Sequence, residues 1–341
     1  MNFPRISIII PSYNQGRFLE ETILSIIDQQ YPNLELFVVD GGSTDNSINV
    51  IKKYEHNLAW WVSEKDKGQS EAINKGLRKA TGEIVSWVNS DDLLMPGSLQ
   101  VISSNFISVP GQIGLIHGGA IVFDEDKIKE TRLTYQSPNK EAYLGGMVFP
   151  QPAAFFRRNM VERVGYLDEQ LHYGMDYDLF LRLALISDFL PINNVLAKYR
   201  LHQQSKSVSE ANRFISDWKR SFVNLCKNLQ WTNELEYLSK TNLFNNELDY
   251  FKPFSFEPFK HIEFAINKRK ALFFHLGHIL KDLYWNYHVH PAKRLKKLMK
   301  TEFENTWWQE DPRLNAVAAK LNYPDLLLSL IRSFRLFVRK S

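Results

Sequence analysis

Polar and acidic residues recur where short apolar runs end. Ile6–Ile10 leads into Pro11, Tyr13 and Asn14; Glu35–Val39 leads into Asp40; Glu83–Val88 leads into Asn89-Ser90-Asp91-Asp92. Asn89-Ser90-Asp91 has the N-x-D form of a hard-cation site. Carboxylate oxygens suit Mg²⁺ or Mn²⁺, and such an ion also takes diphosphate oxygens and stabilises a leaving diphosphate. No GxxxxGK[ST] and no GxGxxG is present, so phosphate would be held by metal and side chains rather than by a glycine-rich cradle. The competing reading is local: Asp91 or Asp92 caps a helix from Leu93 onward.

The elements that must position these residues alternate. The β-branched runs read as strands buried on both faces. Helical spacing is present in Arg17–Gln30, Asn46–Tyr54 (with Ser43 or Thr44 as cap) and Ser70–Ala80. Alternation of this kind predicts an open, mostly parallel α/β sheet with ligands beyond the carboxyl ends of its strands. Further on, 113–123 and 151–156 read as strands and 177–187 as a helix. Beyond about Glu210 the chain reads as helical.

Two stretches, ISIIIPSYNQGRFLEETILSIIDQQYPNLELFVVDGGSTDNS and SEKDKGQSEAINKGLRKATGEIVSWVNSDDLLMPGSL, resemble the opening of family 2 glycosyltransferases. FPQPAAFFRRNMVERVGYLDEQLHYGMDYDLFLRLA and YRLHQQSKS resemble the second half of the same domain. The resemblance covers roughly residues 4–210. It implies the GT-A fold, an open mixed and mostly parallel sheet flanked by helices, over 1–210, with a helical C-terminal extension over 211–341. The implied activity is inverting, metal-dependent transfer of a sugar from a nucleotide-diphosphate donor, UDP-sugars favoured, to a saccharide or lipid-linked acceptor hydroxyl. Cell-surface polysaccharide or glycolipid assembly is the implied setting.

By position, the resemblance implies that Pro11, Tyr13 and Asn14 line the base and ribose pocket, that Asp40 bonds the base, and that Asp66 lies near the ribose. Asn89, Ser90 and Asp91 stand at the DxD position, with Asn in place of the first Asp and Asp91 as metal ligand. Asp176 matches the catalytic base, preceded here by Met175 where the family often has Glu; its local alternative is a helix cap. Asp178, two residues on, cannot share a helical face with it. His202 matches a further metal ligand. Arg200 and Lys206 would neutralise phosphate, or belong to an ordinary polar turn. Gln151 matches an acceptor position, or is a polar strand end. Trp60-Trp61 and Trp307-Trp308 read as packing aromatics.

Composition sets the remaining bounds. The chain has 341 residues with 44% hydrophobic and 23% charged residues, an ordinary globular balance. A lone cysteine, Cys226, excludes intrachain disulfides and a cysteine zinc cage. That cysteine usage and an N-terminus lacking a signal-peptide pattern suggest a cytoplasmic chain. No apolar stretch approaches the ~20 residues of a membrane span. Residues 260–341 hold 16 Lys/Arg against 7 Asp/Glu, so the remainder is net negative. Residues 324–341 read as a basic amphipathic helix. With Lys293, Arg294, Lys296, Lys297 and Lys300 it suits either the inner membrane face or packing on its own domain. No nucleic-acid recognition motif accompanies the basic segment. Two other functions compete: nucleotidyl transfer, which expects a G-x-G-x-R loop where Pro11-Ser12-Tyr13-Asn14 stands, and a catalytically degenerate module that binds a nucleotide-sugar.

Overall fold

The computed structural model describes residues 3–124, 127–132, 139–206, 210–258, 265–325 and 327–328. Most of the expected 324–341 helix lies outside them. Strands β1 (Ile6–Ser12), β2 (Leu34–Asp40), β3 (Trp60–Ser63) and β4 (Ile84–Trp87) alternate with helices α1 (Gly16–Ile27), α2 (Ser47–Lys53) and α3 (Gln69–Lys79). There follow β5 (Leu93–Leu94), α4 (Ser98–Ser108), β6 (Ile113–Asp124), β7 (Lys127–Arg132), α5 (Lys140–Gly145), β8 (Ala154–Arg157), α6 (Arg158–Val164), α7 (Met175–Ala184) and β9 (Asp188–Arg200). The C-terminal part is helical: α8 (Ala211–Asn228), α9 (Thr232–Lys240), α10 (Lys268–Trp285), α11 (Val289–Glu302) and α12 (Pro312–Lys320).

One nine-stranded sheet has the order β3-β2-β1-β4-β8-β6-β9-β5, with β7 hairpinned onto β6. β1, β2, β3 and β4 pair in parallel, as do β6 and β9; β8 runs antiparallel between β4 and β6. The sheet is therefore mixed and mostly parallel, as expected.

Strand side chains alternate between two cores. In β1, Ile9 joins Phe37, Val39, Ile73 and Leu77 on one face, while Ile6, Ile8 and Ile10 join Leu19, Ile23 and Leu36 on the other. Period-two alternation with both faces covered explains why these strands read as mainly apolar runs. Burying one such side chain contributes about 1.5–3 kcal/mol. The first core continues without a break into the C-terminal helices through Phe222, Phe273, Leu280 and Trp308. α10 lies so close to α5 that a Cβ on Gly145 would stand 2.4 Å from that of Phe274.

Three local expectations change. The residue that organises the start of α2 is Asp45, not Ser43 or Thr44. Asp45 Oδ1 accepts from Ser47 N (2.9 Å), and its Oδ2 accepts from Gly16 N (2.8 Å), tying α2 to α1. Leu93 opens a short strand rather than a helix, so Asp91 and Asp92 cap nothing. Residues 151–153 form a 3₁₀ turn, and the strand begins at Ala154.

Candidate active site

The carboxyl ends of β1, β2 and β4 open onto one cavity of about 980 Å³. Pro11, Tyr13, Asp66, Asn89, Ser90, Asp91, Gln151, Asp176, Arg200 and Lys206 all line it. Asn14, Asp40 and His202 do not face it directly; each supports a residue or loop that does.

Asp40 is fully buried. Its carboxylate accepts from Gly42 N (3.1 Å), Ser43 N (2.8 Å), Ser43 Oγ (2.5 Å) and Ser63 Oγ (2.7 Å). Through these contacts it shapes the 41–43 turn. Gly41 on that turn lines the cavity, and a Cβ there would stand 2.7 Å from Asp66 Oδ2. Asn14, in the left-handed region at φ 52°, accepts from Thr44 N (2.9 Å) and donates its own N–H to Ser43 Oγ (2.8 Å). It joins the β1 and β2 loops. Tyr13 remains 62% exposed beside them, its ring free to stack on a planar ligand.

The 89–92 segment is a hydrogen-bonded unit. Asp92 is buried, and burial together with the Asp91 charge holds its pKa well above the carboxylate range. It accepts from Arg200 N (3.0 Å) and from Asn89 Nδ2 (3.2 Å), while Asn89 Oδ1 accepts from Gln69 Nε2 (2.7 Å). An aspartate at 89 could make neither the donation to Asp92 nor a comfortable neighbour for it. The departure from D-x-D thus has a local cause.

Arg200 lines the cavity with its guanidinium already engaged. Its guanidinium lies between the rings of Phe18 (4.7 Å) and Phe123 (4.5 Å), donates to Asp91 O (3.0 Å) and pairs with Glu21 (2.5 Å). It braces Asp91 and the β9 end, with its charge already matched. Lys206 is a cation on the cavity wall: Nζ donates to Gln69 Oε1 (3.0 Å) and His172 O (3.2 Å) within the fields of Asp66 and Asp176. Burial raises the Asp66 pKa, and its Oδ1 accepts from Gly68 N (2.9 Å). Gln151 donates to Trp87 O (2.9 Å) at the wall of the cavity.

Asp91 Oδ2 and His202 Nε2 stand 2.9 Å apart. Donors in adjacent positions around an octahedral ion, each at ~2.1 Å, stand about 3 Å apart. One carboxylate and one imidazole with the remaining positions open suit an ion that also binds diphosphate. Among the described residues no cluster of three or more His, Cys, Asp or Glu forms a closed metal cage. Arg17 Nη2 contacts His202 Nδ1 (3.2 Å) and Phe18 packs on the ring (4.8 Å), which fix its orientation.

Asp176 lies in the first turn of α7, past its N-cap Gly174, so it is not the cap. It is part-buried in the cavity wall, and burial pushes its pKa up to about 6, with Asp217 raising it further and Lys206 opposing. Asp178 points elsewhere, ion-paired with Arg182 at 2.6 Å in the core. The turn before Asp176 is held from outside the expected 1–210 domain. Asp217, on α8, accepts with Oδ2 from His172 N (3.0 Å), Tyr173 N (2.9 Å) and Gly174 N (3.2 Å). A Cβ on Gly174 would come within 2.8 Å of Asp217 Cβ, so this approach requires glycine.

Sequence reading missed Gln69, His172, Tyr173, Asp217, and the wall built by Phe214, Trp218, His278 and Asp282 on α8 and α10. Gln69, His172 and Tyr173 lie within the stretches that carry the resemblance but were given no role, and the residues of α8 and α10 lie beyond those stretches. Trp218 and His278 read as helix-face aromatics, and only tertiary packing sets their rings 4.3 Å apart beside the cavity. Trp60 and Trp61 are strand residues, as expected.

A mixed, mostly parallel sheet with a large cavity over its strand ends is the architecture of the GT-A fold. Residues 7–165 match the family model described as Glycosyl transferase family 2. Among curated relatives, an uncharacterized glycosyltransferase of Rickettsia typhi is 23% identical over 83% of this chain and 91% of its own length. One from Nostoc sp. is 27% identical over 67% and 75%. Solved structures share the fold. S. aureus TarS in complex with UDP-GlcNAc aligns with TM-score 0.55 and 15% identity over 96% of this chain and 92% of that one. The mannosyltransferase PcManGT from Pyrobaculum calidifontis, in complex with GDP-Man and Mn²⁺, aligns with TM-score 0.53 and 16% identity over 98% and 88%. No described helix is long and apolar enough to cross a membrane.

Proposed function

We propose that this glycosyltransferase carries out inverting transfer of a sugar from a nucleoside-diphosphate donor to an acceptor hydroxyl, with Asp176 as base. The observation that carries this reading is one cavity lined by both Asp91, which His202 contacts from behind, and Asp176. Its size suits a donor and the reacting end of an acceptor. Tyr13 and Pro11 offer a surface for the base, with the Gly41 turn giving close backbone approach. Asp91 and His202 would hold Mn²⁺ or Mg²⁺; such an ion, when bound, offsets charge on the departing diphosphate. The solved neighbour with Mn²⁺ and GDP-Man supports this cofactor, and the neighbour with UDP-GlcNAc supports a UDP-sugar as the first donor to assay.

Asp176 accepts the proton of the acceptor hydroxyl as that oxygen bonds to the anomeric carbon. The bond from that carbon to the diphosphate oxygen breaks, and the nucleoside diphosphate leaves with the electron pair. A pKa of about 6 leaves Asp176 ionised at neutral pH yet basic enough to assist. Lys206 lies where it can offset charge beside the site. The acceptor is a saccharide or lipid-linked saccharide, approaching along the wall of Trp218, His278 and Asp282. The test is nucleoside-diphosphate release from UDP- and GDP-sugars with Mn²⁺. Wild type should turn over at least one donor and Asp176→Asn should do so about 10²–10⁴-fold more slowly. Equal rates for both proteins would remove the catalytic reading and favour a module that only binds.

A further inference from the structure

We propose that a lysine-lined groove on α11 docks the phosphate head groups of an anionic membrane surface. Lys293, Lys296, Lys297 and Lys300 recur at i, i+3, i+4 and i+7 and so form one stripe of the helix. With Thr301 and Leu321 they line a groove of about 370 Å³. The i,i+4 pairs 293/297 and 296/300 repel, so the stripe opposes helix stability unless an anion offsets it.

The groove's own partners leave that charge largely unmatched. Lys293 bonds Asp325 Oδ1 (2.5 Å) and Tyr323 O (2.8 Å). Lys296 bonds the neutral Asn322 amide oxygen (2.5 Å), and Lys300 lies 4.2 Å over the Trp308 ring. Among the described residues, Asp325 is the one carboxylate within ion-pair distance of the four lysines. Burial, with Lys300 and Lys293 beside it, pushes the Lys296 pKa down, as expected where cations crowd.

The groove's surroundings favour a lipid surface over a soluble phosphate. Trp285, Tyr323 and Leu327 are 52%, 47% and 40% exposed. Tyr323 follows Leu321 of the groove by two residues, and Lys320 reaches 6.0 Å from the Trp285 ring. Exposed aromatic and aliphatic side chains beside lysines add nothing to binding of a free phosphate. At a bilayer they enter the interface while the ammonium groups meet head groups. The proposal is independent of the transfer chemistry, and none of these residues lines the catalytic cavity.

The test is flotation of the full chain with phosphatidylcholine vesicles, with and without phosphatidylglycerol, at low and high salt. Binding is expected only to the anionic vesicles, and weaker at high salt. Lys297→Gln/Lys300→Gln should weaken it roughly 25-fold, at about fivefold per lysine. That variant removes the 293/297 and 296/300 repulsions as well as the Lys300–Trp308 contact, so its unfolding temperature should stay close to that of wild type. Trp285→Ser should also weaken binding while leaving the preference for anionic vesicles. Equal binding to both vesicle types, binding to neither, or undiminished binding by the double variant overturns the proposal. Calorimetric binding of inorganic pyrophosphate that the double variant loses, without vesicle binding, also overturns it by giving the groove a soluble ligand.

Discussion

Asp176→Asn should stabilise the folded chain while removing its turnover. The carboxyl has an ordinary pKa of 3.8 and one of about 6 in the fold, raised by burial. The folded state therefore binds this proton more tightly than the unfolded chain does. Ionisation costs fold stability, beginning as pH rises through 3.8 and complete above about 6. Roughly two units at ~1.36 kcal/mol each set a ceiling of about 3 kcal/mol. Contact with cavity solvent reduces this to about 1–3 kcal/mol. Asparagine keeps the oxygen that accepts from Tyr177 N (2.8 Å), so the backbone of α7 is undisturbed. In urea titrations from pH 3.5 to 8, the variant should match wild type at the acid end, gain between pH 4 and 6, and hold a constant advantage above. Turnover should fall by about 10²–10⁴, and wild-type kcat/KM should lose its rate below about pH 6. A stability difference that does not change with pH, or a variant less stable at pH 8, would refute the reasoning that this carboxylate is held charged against its burial.

Two further substitutions test the support of the site. Asn89→Asp replaces the amide that donates to buried Asp92 with a second carboxylate. It should cost about 1–3 kcal/mol at pH 8, the loss shrinking at pH 5, as thermal unfolding will report. Asp217→Ala strands the N–H groups of residues 172–174 and should lower kcat at least tenfold while leaving nucleoside-diphosphate affinity within twofold, measured by calorimetry.

The strands that carry the site were legible because each is buried on both faces: Ile6–Ile10 is apolar but for the small Ser7. Asp91 at a strand end and Asp176 in the first turn of α7 were legible as well, since both sit within recognisable stretches. The local partners of Asp40 and Arg200 were not, because a sequence does not show that Ser43 and Ser63 donate to one, or that Glu21 and two phenylalanine rings hold the other. The insertion of β8 antiparallel beside β4 was hidden for the same reason. Ser86 Oγ donates to Ala154 O (2.7 Å) across 68 residues, and no local pattern records such a pairing. The largest omission was the contribution of the C-terminal helices. Asp217 lies in an amphipathic helix like any other surface acid, and its function exists only where α8 meets the turn before α7.

The most direct measurement is calorimetric binding of UDP and GDP, each with and without Mn²⁺, to wild type and Asp91→Ala. Wild type should bind one nucleotide in a Mn²⁺-dependent way, and Asp91→Ala should lose the metal dependence and at least tenfold in affinity. Binding that ignores both Mn²⁺ and Asp91, or no binding of either nucleotide, would contradict a donor site built at the ends of β1, β2 and β4.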